Sequence, residues 1–130
     1  MGRMSRQKGK RGEREAAAEL GQLLGVDARR GVQFQGGPES PDVVLAGVNI
    51  HVEAKRVEAL KLYDAIDQAA SDAGTKVPCV WHRKNNRASV VIVETSRLLE
   101  LAREVVRAAG ADAQKSLENK GETHATCENA

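Results

Sequence analysis

The sequence predicts one α/β domain, a mixed central sheet flanked by helices in the order α-β-β-β-α-β-β-α. Three observations carry that expectation. Three segments repeat apolar residues at helical spacing and each stops at a glycine (Gly25, Gly74, Gly110). Between them lie short runs rich in valine and isoleucine, bounded by turn residues. At 130 residues and 41% hydrophobic content, the chain suits a single core and is too apolar for wholesale disorder.

Taken in order, the first helix is expected over residues 13–24, with Ala16, Ala17, Leu20, Leu23 and Leu24 on its buried stripe. An extended stretch, RRGVQFQ (29–35), leads through the turn-rich GGPES (36–40) to two strands, DVVLA (42–46) and NIHVEAK (49–55). Gly47-Val48 between them suits a tight hairpin. A second helix is expected over 59–73, with Leu62, Tyr63, Ile66, Ala69, Ala70 and Ala73 facing inward. Strands VPCVWHR (77–83) and ASVVIVE (88–94) flank the turn KNNR, and a third helix over 96–109 stops at Gly110. Three regions follow from this: a basic arm (1–12), a folded domain (13–110) and a polar tail (111–130) without periodicity, expected to be disordered.

Composition excludes several classes of function. Aromatic residues are 2% of the chain, against a protein that grips nucleic acid by stacking bases. No apolar run approaches 18 residues, so no membrane helix is expected. The basic N-terminus lacks the apolar core of a secretory signal, which makes the cytoplasm the expected location. Cys79 and Cys127 show no zinc-ligand spacing, and Cys79, within VPCVW, reads as a buried hydrophobe. Net charge is only +2, but residues 1–14 hold six basic side chains against one acid. Such arms meet nucleic acid phosphates or remain solvated.

The chemistry concentrates between Pro41 and Lys55. With a strand's period of two, His51, Glu53 and Lys55 share one face of HVEAK and Ile50, Val52 and Ala54 the other. A hairpin closed at Gly47-Val48 sets Asp42 across from Glu53, with Cβ atoms roughly 5 Å apart. Two facing carboxylates repel one another, and a divalent cation removes the objection. Oxygen ligands without a cysteine or histidine cage favour Mg²⁺, with Mn²⁺ as a substitute. Glu13 extends the inward stripe of the first helix and offers a third carboxylate, whereas Glu15 and Glu19 point elsewhere. Such a cluster with Lys55 suits phosphodiester hydrolysis: the metal activates a water and the lysine offsets charge building in the transition state. The bland alternative has Asp42 capping a turn and Glu53 paired with Lys55. If the carboxylates do face each other, Glu53→Gln should stabilise the metal-free protein.

The string S-P-D-(x10)-E-A-K resembles the PD-(D/E)xK signature of restriction-endonuclease-like nucleases. The N-terminal KGKRGERE (8–15) is similar to the K-G-x-x-x-E-R-E start of archaeal-type Holliday junction resolvases. The resemblance covers about residues 8–98 and departs from the family at the QGGPES loop and in an extra C-terminal helix and tail. It implies a restriction-endonuclease-like core and a Mg²⁺-dependent endodeoxyribonuclease of DNA recombination and repair. Such an enzyme acts as a homodimer, nicks four-way junctions and leaves 5′-phosphates. It also implies Asp42 and Glu53 as metal ligands, the Ala54 carbonyl as an additional one, Lys55 as the catalytic lysine, and Glu13 completing the site directly or through water. The same active site could serve flaps, single-stranded ends or duplex DNA; a non-catalytic DNA-binding module is the alternative of another class.

Lys8, Lys10, Arg11, Arg14, Arg29, Arg30 and Arg56 would form a basic rim that tracks phosphates on branched or double-stranded DNA. Arg83, Lys84 and Arg87 read as solvated. His51 reads as an ordinary hydrogen-bonded histidine that could assist the site. Gln68 faces away from the inward stripe of its helix and is left out of the site; His82 is assigned no role.

Overall fold

The structure, a computed structural model, describes residues 2–31 and 42–119, with side chains described for 9–31 and 42–110. Helix α1 (Gly2–Leu24) is followed by strands β1 (Ala28–Arg30), β2 (Val43–Leu45) and β3 (Ile50–Arg56). Then come α2 (Leu62–Asp72), β4 (Val77–Arg83), β5 (Val90–Ile92), a turn of 3-10 helix (Thr95–Arg97) and α3 (Leu98–Asn119). Among the described residues, five strands form one sheet in the order β1-β2-β3-β4-β5, and of their pairings only β3–β4 is parallel, because α2 carries the chain back across the sheet between them.

The helices form two layers. Ala16, Ala17, Leu20 and Leu24 of α1 and Ala108 of α3 bury one sheet face with Val43, Leu45, Ile50, Val52, Cys79 and Trp81. On the other face Ala65, Ile66 and Ala69 of α2 meet Val80. Because β3 is covered on both sides through most of its length, polar residues there are buried with the apolar ones: His51 is 1% exposed and Glu53 3%. Cys79 is buried, and burial pushes its thiol up to about 12, so it is the inert hydrophobe expected.

Several expected boundaries shift. Helix α1 begins at Gly2, so the basic segment is continuous with the helix, as its arginine, lysine and glutamine content permits. Gly25 does end it, with φ +68°, and Gly74 follows α2 with φ +60°. Gly110 stops nothing: α3 runs to Asn119, so part of the expected tail is helical, and residues 120–130 lie outside those described. The strand expected over 29–35 is described only as Ala28–Arg30. Leu23 (71% exposed) and Tyr63 (80%) lie outside the buried stripes. Helix α2 starts at Leu62 rather than 59 and meets the sheet through Ala65, Ile66 and Ala69, which leaves Leu62, Tyr63 and Ala70 in solvent. Among the described residues no helix is long and apolar enough to cross a membrane.

Close packing of α1 depends on two glycines inside it. A Cβ on Gly12 would lie 2.6 Å from Arg56 Cβ, and one on Gly21 2.8 Å from Ala28 Cβ. Two acids on the same helix then fasten it to the sheet. Glu19 accepts from Trp81 Nε1 at 2.8 Å and from the Ser89 hydroxyl; these bonds hold its carboxyl below the usual range. Glu15 meets Arg11, Arg56 and Arg83.

Candidate metal and phosphate site

Val43 pairs with Val52, the hairpin register expected from the sequence, and it sets Asp42 opposite Glu53. The link is direct. Asp42 hydrogen-bonds to Glu53, and burial, then the Glu53 charge, pushes the Asp42 carboxyl up to about 7. Glu13 adds to that push, so the α1 carboxylate does reach the field of the pair. For Glu53, burial opposes ionisation, but hydrogen bonds with His51 and Asp42 and the charge of Lys55 outweigh it and hold the group below its usual range. Near neutral pH Asp42 is therefore the member of the pair that still titrates, while Glu53 is the one the fold keeps charged. The repulsion between the two carboxylates appears as the raised Asp42 carboxyl, and Asp42→Asn removes it without disturbing the His51–Glu53 contact.

The remaining residues sort as follows. Ala54 enters the site through its amide, which donates to Asp42 Oδ2 at 3.0 Å. Glu13 Oε2 accepts from Arg30 Nε at 2.5 Å. Lys55 Nζ donates to Gln68 Oε1 at 3.2 Å, and the two side chains line a cavity of about 290 Å³ between β3 and α2. Gln68 is exposed and stands off the buried stripe of Ala65, Ile66 and Ala69, as its place on the helix suggests, and from there it reaches Lys55. The spacing of Lys55 and Gln68 across the parallel crossover is visible only in three dimensions.

The expected basic rim divides. Lys10, Arg11, Arg14 and Arg29 are exposed, with Arg11 held by Glu15. Arg30 is committed to Glu13, and Lys8 lies outside the described side chains. Arg56 lies apart from this exposed rim. It is 9% exposed beneath Gly12, its Nε lies 3.3 Å from Glu15 Oε2, and its Nε and Nη1 have no hydrogen-bond partner among the described residues. It cannot track a phosphate from there, because it follows Lys55 on the opposite face of β3, under α1. Glu15 and Glu19, expected to point elsewhere, are structural clamps. Arg83 also joins Glu15, rather than remaining solvated.

His51 Nε2 donates to Glu53 Oε1 at 3.3 Å. Asp72, at the end of α2, completes a group with them whose ligand atoms all lie within 4.8 Å of one another. Sequence spacing could not show this group, since Asp72 is 19 positions beyond Glu53. Comparison with protein-family models, with curated proteins and with solved structures finds no match for the chain.

Proposed function

We propose that the chain is a Mg²⁺-dependent, structure-selective endodeoxyribonuclease with a restriction-endonuclease-like core, acting on four-way DNA junctions as a homodimer. One observation carries the reading: a buried Asp42–Glu53 pair, strained by shared charge, with Lys55 two residues along the same face. Burial and the facing Glu53 charge oppose ionisation of Asp42, and a bound cation would offset both.

Asp42 and Glu53 would hold Mg²⁺, with Glu13, whose charge already acts on Asp42, joining through a water. A bound Mg²⁺ would polarise the phosphate and lower the pKa of a coordinated water. Lys55, positioned by Gln68 at the mouth of its cavity, offsets negative charge on the phosphate as the bond to the leaving oxygen breaks. The Ala54 amide fixes the Asp42 carboxyl, so little reorganisation is needed when the cation replaces the proton. Arg30 holds Glu13 until a phosphate competes for its guanidinium. Lys10, Arg14 and Arg29 supply exposed positive charge for the DNA backbone. Two symmetric nicks suit a two-fold assembly.

The test is cleavage of a labelled synthetic four-way junction in Mg²⁺, with EDTA and Lys55→Ala as controls. Paired symmetric nicks with 5′-phosphates, lost in both controls, are expected. Cleavage confined to a flap, a single strand or linear duplex would keep the site and replace the substrate. A second reading draws on the Ala54–Asp42 bond, in which Asp42 merely caps the β2–β3 ladder of a DNA-binding module. Binding indifferent to Mg²⁺, with no nicking of any substrate, would establish it.

A further inference from the structure

Glu53 is engaged from two sides. Its carboxylate meets Asp42 on one side, and its Oε1 meets His51 on the other. His51 and Glu53 are almost wholly buried, and Asp72 is half-buried beside them. A cavity of about 320 Å³ lined by His51, Asp72, Gly74, Thr75 and Lys76 opens there to solvent. Lys76 is exposed and long enough to keep its ammonium in water.

Bonds of about 2.0–2.2 Å to nitrogen and oxygen place ligand atoms at most about 4.4 Å apart around one ion. The 4.8 Å limit on the His51, Glu53 and Asp72 ligand atoms is within a few tenths of an ångström of that span. One imidazole and two carboxylates form a mixed nitrogen and oxygen donor set, which suits Zn²⁺ or Mn²⁺ better than Mg²⁺, which takes oxygen. The cavity leaves room for waters to complete the coordination shell.

We infer that His51, Glu53 and Asp72 form a second divalent-cation site, selective for Mn²⁺ or Zn²⁺ and sharing Glu53 with the Asp42 site. The inference stands on its own geometry and needs no nuclease activity. If both sites fill, Glu53 bridges two cations, and the His51 ion tunes the carboxylate that the Asp42 site depends on.

The two sites differ in donor atoms, so spectroscopy on the untagged full chain separates them. Electron spin-echo modulation of protein-bound Mn²⁺ reports nitrogen ligands directly. Nitrogen modulation is expected in the native chain, with about two Mn²⁺ bound at saturation. Asp72→Asn, at a half-buried position, should weaken the nitrogen-ligated Mn²⁺ at least tenfold and leave the other ion bound, with circular dichroism confirming the fold. His51→Gln should remove the nitrogen signal altogether, with circular dichroism confirming the fold. Absence of nitrogen modulation at saturating Mn²⁺, or a signal unmoved by Asp72→Asn, overturns the inference. Failure to cut any DNA while the signal persists overturns the nuclease reading and leaves this site in place.

Discussion

Asp42 is the residue at which stability and metal binding meet. Its carboxyl titrates near 7 in the folded protein against 3.8 ordinarily, so the native state holds that proton more tightly than the unfolded chain does. The resulting stabilisation is fully present below about pH 3.8 and is lost as pH rises to about 7. Relative to Asp42→Asn, the metal-free protein should therefore lose melting temperature across that window and stay lower above it. An asparagine keeps the acceptor for the Ala54 amide and removes the charge. At pH 8 it should melt several degrees higher, as about 4–8 °C per kcal/mol is usual for domains of this size. Because a cation must displace the same proton, Mg²⁺ should raise the melting temperature more at pH 8 than at pH 6. Calorimetry over pH 4–8, with and without Mg²⁺, checks all three, and a lower melting temperature for Asp42→Asn at pH 8 would make Asp42 a structural cap. The facing of Asp42 and Glu53 was legible in the sequence, because hairpin register follows from turn position and strand period. The share of the strain was not, since it depends on His51 and Lys55 favouring charge on Glu53 alone.

At the scale of the element, α1 is the helix that the sheet most depends on. Its apolar stripe was legible from Ala16, Ala17, Leu20 and Leu24, but the roles of its other residues were not. Gly9 and Gly12 look alike in the string KGKRGERE, yet a Cβ on Gly9 would meet nothing within 4 Å and one on Gly12 would overlap Arg56. Gly12→Ala should cost about 1–3 kcal/mol by overpacking, whereas Gly9→Ala should gain about 0.5–1 kcal/mol from helix propensity. Chemical denaturation of the two variants separates them, and equal effects would mean that α1 does not lie this close to β3. A glycine inside a helical pattern was the available signal for close packing, but it does not say which neighbour approaches.

At the scale of the molecule, the exposed cations Lys10, Arg14 and Arg29 should dominate DNA affinity, while Arg56 should not contribute directly. Each phosphate contact removed lowers the slope of log affinity against log salt by about 0.9 on duplex DNA. Arg29→Ala and Lys10→Ala should each weaken junction binding and flatten that slope by about one unit. Arg56→Ala should lower the melting temperature instead, because it empties a buried site beneath α1 and leaves Glu15 with one cation fewer. Salt titrations by fluorescence anisotropy distinguish the two kinds of arginine; a flattened slope for Arg56→Ala at unchanged stability would return it to the DNA rim.

By itself the sequence determined the α/β class, the order of the elements, the β2–β3 register and the face shared by His51, Glu53 and Lys55. All of these are local, set by side-chain period, turn residues and helix-ending glycines. Only the tertiary structure decided which polar groups meet across elements: Gln68 with Lys55, Asp72 with His51 and Glu53, Glu15 with Arg56, Glu19 with Trp81. These pairs join residues far apart in the chain, and their contact depends on how a helix is rotated on the sheet. That rotation is set by packing of small residues such as Gly12, Ala65 and Ala69, and hydrophobic periodicity constrains it only to within a residue or two.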